Sequence, residues 1–167
     1  MSINKKKISK SYLILIFLLF LIIFFYFFIS KFQKERDKVL ASEPISINLL
    51  TSVHPTLLWN FEPLEKKIII NPGKVTTIEY VVENLGDEET SGIATFAYFP
   101  NQFGKYISKI NCFCYDAQTL EAKQKDKFVL VLLIDPKVTK DSKTKDIKEV
   151  IMQFTFFDYN EFKNGQN

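Results

Sequence analysis

The residues in this chain best equipped for chemistry are Cys112 and Cys114, in the stretch Lys109-Ile110-Asn111-Cys112-Phe113-Cys114-Tyr115. They are its only two cysteines. In an extended chain, side chains at i and i+2 point to one side, about 6.6 Å apart at Cα. Two thiolates then face one small volume while Phe113 points the other way. Thiolates are soft ligands, and they suit Cu(I) better than ions that prefer oxygen. Two sulfurs at a surface make a sufficient but open site, suited to handing the ion onward. Three other readings stand beside this one. The pair could be buried small hydrophobes, or half of a site completed by a second chain. It could also form a Cys-x-Cys disulfide used in redox exchange. The extended Cα separation lies near the upper end of the usual disulfide range, about 4.4–6.8 Å, which would make that bond strained and reducible.

Other chemistries find little support. A closed four-ligand zinc site is short of donors, because His54 is the single histidine. His54 sits beside Pro55 with no evident nucleophile, and the chain has no Gly-rich phosphate loop. No enzyme is expected. Lys and Arg total 22 against 19 Asp and Glu, and four of the lysines precede the first apolar run. The remainder is close to balanced, so no nucleic-acid footprint is present.

The elements that must hold the cysteines read as short strands. Ile45–Leu50, Leu57–Phe61, Lys67–Ile70, Val75–Glu83, Gly92–Phe99, Tyr106–Ile110, Phe128–Ile134 and Glu149–Phe157 are apolar or alternating runs. Turn signals such as Asn71-Pro72-Gly73 and Asn84–Gly86 separate them. In Val75–Glu83 the face carrying Thr76, Ile78, Tyr80 and Val82 is the better core face. Lys137–Asp146 reads as a solvated charged loop. Seven or eight strands at spacings of roughly ten residues, without a convincing amphipathic helix, predict an all-β fold: an immunoglobulin-like antiparallel β-sandwich.

Ahead of them, Tyr12–Ile29 is an uncharged apolar run. At about 1.5 Å per residue it spans roughly 27 Å, near the hydrocarbon thickness of a bilayer. It ends Phe27-Phe28-Ile29-Ser30-Lys31, without the small-x-small pattern of a cleaved signal peptide. The reading is one N-terminal transmembrane helix acting as an uncleaved signal anchor. Lys and Arg are nearly tied across its two flanks. A very short tail usually stays inside, so the downstream domain is expected on the periplasmic face of a bacterial cell inner membrane. The resulting division is a cytoplasmic tail (1–11), an anchor (12–29), a juxtamembrane spacer (30–43) that is open to being a helical extension of the anchor, a β-domain (44–160) and a C-terminal tail (161–167).

The motifs of the β-domain, taken in order, resemble a known family. Cys112-Phe113-Cys114-Tyr115 followed by Gln118-Thr119-Leu120 resembles the CFCF-x-x-Q-T-L signature of the CtaG-type cytochrome c oxidase assembly proteins. Trp59–Pro63 resembles that family's W-x-F-x-P, Tyr80 with Asn84 its Y-x-x-x-N, and Gly92–Phe96 its G-x-A-T-F. Ile134-Asp135-Pro136 resembles V-D-P, Thr155-Phe156-Phe157 the closing T-F-F, and Lys109 a Lys before the cysteines. The resemblance implies a copper metallochaperone whose immunoglobulin-like domain delivers Cu(I) to the CuB centre of cytochrome c oxidase subunit I. It implies Cys112 and Cys114 as the metal ligands, and dimerisation of two copies through copper. The alternative is a membrane-anchored thiol oxidoreductase acting on cysteines of the copper-delivery pathway. Lys109 could offset thiolate charge or meet a partner, but it reads first as a solvated surface residue, and Phe113, Tyr115, Trp59 and Phe61 read as packing residues. Three features depart from the family pattern. Lys31–Ser42 carries no counterpart of the family's juxtamembrane cysteine, Ala122-Lys123-Gln124 replaces a Pro-Gly-Glu turn, and Phe128 stands where a Met is common.

Overall fold

The computed structural model describes residues 10–40 and 43–165. The first part of the expected cytoplasmic tail, residues 1–9, lies outside the described residues, as do 41–42 and 166–167. Two compact units are separable and are described in turn.

The first unit is one helix, α1 (Lys10–Leu40). Ile14–Lys34 is long and apolar enough to cross a membrane. Apolar side chains lie on every side of it rather than along one stripe, a pattern compatible with a membrane span. The helix outlasts the apolar run, and residues 30–40, the first part of the expected spacer, extend it.

The second unit is a sandwich of two sheets formed by nine strands among the described residues. In chain order these are β1 (Ile45–Val53), β2 (Trp59–Pro63), β3 (Lys67–Ile70), β4 (Val75–Asn84), β5 (Thr90–Phe99), β6 (Ile107–Cys112), β7 (Gln118–Leu120), β8 (Lys125–Ile134) and β9 (Glu149–Asp158). One sheet has the order β3-β1-β9-β5-β7 and the other β2-β4-β8-β6. This is the immunoglobulin-like sandwich expected. Every pairing is antiparallel except β1 with β9, which run parallel in register from Ser46↔Glu149 to Val53↔Phe156. A short helix, α2 (Tyr159–Asn164), follows β9 and is capped by the Asp158 carboxylate on the Glu161 N–H.

Alternation makes the core. In β4 the buried residues are Ile78, Tyr80, Val82 and Asn84, so the apolar face of that strand turns inward. In β9 they are Val150, Met152, Phe154 and Phe156. Gly92 of β5 is required by packing. A Cβ there would meet Leu57 Cδ2 at 2.8 Å, Trp59 Cζ3 at 3.0 Å and Phe156 Cδ1 at 3.1 Å.

The stretch 137–146 is not simply solvated. It opens with a 3-10 turn, Pro136–Thr139, and buries Val138 and Thr144, each 1 % exposed. The Thr144 hydroxyl donates to Val138 O at 2.7 Å. Asp141 then ties the stretch to a second 3-10 turn, Asn101–Tyr106, which leads into β6. Its carboxylate accepts from Lys105 Nζ at 2.7 Å, from the Tyr106 hydroxyl at 2.5 Å and from the Lys143 N–H at 2.8 Å. These bonds, Lys105 first and Tyr106 next, hold the Asp141 carboxyl well below the usual carboxylate range. A depressed folded-state pKa means that the unfolded chain takes up the proton first. The stabilisation is therefore full above the ordinary Asp value of about 3.9 and is lost as pH falls toward the folded value. Asp141→Asn is expected to melt at lower temperature than wild type at neutral pH. The gap should narrow as pH falls below about 4, which melting curves of the two proteins across that range would check.

Candidate metal centre

β6 is an edge strand, paired among the described residues only with β8. The pairing slips at Ile110: Lys109 lies opposite Leu132 and Asn111 opposite Val131, so Ile110 is an extra, bulged residue. A bulge reverses which face the following residues present. Lys109 and Cys112 are an odd number of residues apart and would fall on opposite faces of a regular strand. With Ile110 bulged, Ile107, Lys109 and Cys112 turn inward, while Ser108, Ile110 and Asn111 are exposed.

The strand ends at Cys112, and the chain turns back at once, with Tyr115 N–H donating to Cys112 O at 3.2 Å. Cys112 is 5 % exposed and Phe113 8 %. Cys114 is partly buried. The two cysteines are joined as a disulfide, with Cα atoms 5.0 Å apart. The separation is shorter than in an extended chain because Cys114 lies in the turn rather than on the strand. The Cys114 N–H points at Cys112 Sγ, 3.1 Å away.

Three side chains fix this turn. Phe113 is sunk into an aromatic cluster, with ring centroids 4.8 Å from Phe154, 5.3 Å from Phe128 and 5.4 Å from Tyr80. Gln118 donates through Nε2 to Phe113 O at 3.0 Å and to Asp116 O at 3.2 Å, bridging the loop from β7. The Tyr115 hydroxyl donates to Lys109 O at 2.6 Å, tying the turn to the bulge. Phe113 packs as expected. Gln118 was legible only as a motif letter, and the short strand β7 that carries it has no apolar pattern to announce it.

Lys109 is not the solvated surface residue expected from sequence. It is partly buried, with Nζ 3.4 Å from Cys114 Sγ, 4.6 Å from the Phe96 ring centroid and 5.5 Å from that of Tyr115. Burial pushes its ammonium below the usual Lys value. Its polar and cationic contacts are thus a sulfur, which gains negative charge on reduction, and two aromatic faces.

His54 stands apart from the pair, with its Nδ1 2.9 Å from the Thr56 hydroxyl and its ring stacked on Phe157. No group of three or more His, Cys, Asp or Glu side chains among the described residues is arranged to hold a metal. Once reduced, two thiolates one residue apart suit a soft monovalent ion. Phe128 faces the core and packs on Phe113.

After the signature the chain crosses Ala122-Lys123-Gln124 with Lys123 at φ 61°. A left-handed conformation costs a non-glycine residue about 1–2 kcal/mol. The Lys123 ammonium donates to Leu85 O at 2.7 Å and pairs with Asp87 at 2.9 Å, contacts a glycine would lack.

Known proteins resemble this chain over most of its length. A profile described as cytochrome c oxidase assembly protein CtaG/Cox11 matches residues 28–158. A protein of Sinorhizobium fredii named cytochrome c oxidase assembly protein CtaG is 31% identical over 124 residues, 74% of this chain and 62% of its own length. A protein of the same name from Ehrlichia ruminantium (strain Gardel) is 35% identical over 122 residues, 73% of this chain and 69% of its own length. Another from Brucella anthropi is 34% identical over 101 residues, 60% of this chain and 50% of its own length.

Proposed function

This chain belongs to the cytochrome c oxidase assembly protein CtaG/Cox11 family, and we propose that it is a copper metallochaperone. In this reading the β-domain carries Cu(I) on the thiolates of Cys112 and Cys114 and inserts it into the CuB centre of oxidase subunit I. The chain has no enzymatic role. Helix α1 anchors it in the bacterial inner membrane as a single pass, and the β-domain works on the periplasmic side.

The observation that carries the reading is the turn at Cys112-Phe113-Cys114. The buried Phe113 side chain anchors the turn, both sulfurs sit on it, and the Lys109 ammonium lies 3.4 Å from one of them. A Cu(I) ion on two thiolates carries a net negative charge, and an adjacent ammonium offsets it. Two sulfurs leave the ion open to a receiving ligand or to the sulfurs of a second copy, which would give a copper-bridged homodimer.

The test is Cu(I) uptake by the full chain in detergent, against a competing chelator and without oxygen. The reduced protein is expected to take up Cu(I) and the disulfide form to take up none. Cys112→Ser should abolish uptake. Unchanged copper stoichiometry in that variant would overturn the assignment.

The disulfide itself favours a second reading, a thiol oxidoreductase acting on cysteines of the copper-delivery pathway. That reading predicts that the oxidised chain exchanges with partner thiols whether or not it can hold copper. Deletion in the native host separates the two, since only the chaperone reading predicts an oxidase lacking CuB copper whose partner cysteines are normally reduced.

A further inference from the structure

We propose that the cleft beside Cys114 receives a small anionic thiol, which opens the Cys112–Cys114 disulfide by attacking Cys114 and expelling Cys112. The inference rests on the copper reading above, because the pair binds Cu(I) only once reduced. It adds the class of reductant and the order of bond breaking.

The cleft has a volume of about 380 Å³, and Phe96, Tyr98, Gly104, Lys109 and Cys114 are among its lining residues. That is within the usual range of small-ligand sites, about 300–1,000 Å³. It exists because β7 pairs only with Thr90–Gly92 and leaves the rest of that edge of β5 uncovered. Gly104 shapes it: a Cβ there would lie 1.9 Å from the Tyr98 ring, so a larger residue would force that ring out of its place in the wall.

Three features set the direction of attack. Cys114 lines the cleft, whereas Cys112 is 5 % exposed and does not, so an incoming thiol meets Cys114. The Cys114 N–H already points at Cys112 Sγ at 3.1 Å, placed to stabilise charge on the leaving sulfur. Lys109 offers the cleft an ammonium that has no carboxylate partner among the described residues, which favours an incoming thiol that carries a carboxylate.

The steps balance. A thiolate RS⁻ attacks Cys114 Sγ, the Cys112–Cys114 bond breaks, and Cys112 leaves as a thiolate. A second RS⁻ attacks the RS sulfur of the mixed disulfide and releases Cys114 as a thiolate next to Lys109. Two thiols are oxidised to RSSR, the protein disulfide gains the two electrons, and the thiol protons pass to the protein thiolates or to water.

The test uses the oxidised full chain in detergent with 3-mercaptopropionate and its neutral analogue 3-mercapto-1-propanol, at equal thiolate concentration. Reactions are quenched with an alkylating agent and mapped by tandem mass spectrometry. The mixed disulfide is expected on Cys114 and the alkyl group on Cys112. The anionic thiol should react about fivefold faster, the scale of one half-exposed charge pair. Lys109→Met should remove that preference and Lys109→Arg keep it. Mixed disulfide on Cys112, or equal rates for the two thiols in wild type, would overturn the inference. Either result would leave Cu(I) uptake by chemically reduced protein intact. A failed copper assignment would instead show as a dithiol that takes up no Cu(I), whichever thiol opened it.

Discussion

Phe113→Ala is expected to destabilise the β-domain by about 3–5 kcal/mol, the usual cost of deleting a buried aromatic ring. The figure is large against the ~5–15 kcal/mol that holds a typical domain together. Phe113 is the residue between the two cysteines, yet its ring is part of the core. Its centroid lies 4.8 Å from that of Phe154, 5.3 Å from Phe128, 5.4 Å from Tyr80, 5.6 Å from Phe61 and 5.9 Å from Phe156. Those rings come from both sheets, so the cavity left behind would be walled by several elements that cannot all collapse into it. The same ring is the anchor of the turn. Without it the backbone between the sulfurs loses its fixed point, and Cu(I) affinity of the reduced protein should fall by about 10–100-fold, the scale seen when groups supporting a metal ligand are removed. Phe113→Leu should recover most of the stability. Urea unfolding of the full chain in detergent, beside competitive Cu(I) titration, reads both effects. A Phe113→Ala protein within about 1 kcal/mol of wild type would show that the turn is not anchored through this ring.

Asn84→Ala is expected to cost about 3 kcal/mol, and Asn84→Asp more. Asn84 is 0 % exposed. Its amide donates to Glu88 O at 2.8 Å, Glu121 O at 3.0 Å and Leu120 O at 3.2 Å, and its carbonyl accepts from Gly86 N at 2.9 Å. One side chain thus closes the β4–β5 turn and pins the end of β7, the strand whose Gln118 clamps the cysteine turn. Truncation strands the buried Leu120 carbonyl and leaves the part-buried Glu88 and Glu121 carbonyls and the Gly86 N–H without this partner. Aspartate keeps the shape but replaces a donor with an acceptor, and would face three carbonyl oxygens. Asp is ordinarily the milder replacement for Asn in a turn, so the inverted order is the diagnostic. Urea unfolding of the two variants decides it. Asn84→Asp at wild-type stability would mean that the side chain is hydrated rather than a buried bracket.

Much of the sandwich was legible because its signals are local. Ile78, Tyr80 and Val82 alternate with Thr77, Glu79 and Val81, and one face of a half-buried strand has to be apolar. Strands without such a pattern were not legible. Gln118–Leu120 is three residues long, and its place is held by pairing with Thr90–Gly92 and by Asn84. The charged stretch at 137–146 reads as solvent-facing because lysines dominate it, while its structure rests on the buried Val138 and Thr144 and on Asp141.

By itself the sequence determined the apolar helix, the sandwich class and a pair of sulfurs one residue apart, because each follows from residue type and short-range period. Tertiary structure alone decided what surrounds that pair. Reading β6 with a period of two puts Lys109 and Cys112 on opposite faces. The slip against β8 makes Ile110 a bulge and brings both residues to one face, with the Lys109 ammonium 3.4 Å from Cys114 Sγ. The reason is physical: side-chain alternation is a property of one strand, but a bulge is a property of a pairing, set by the strand on the other side of the ladder.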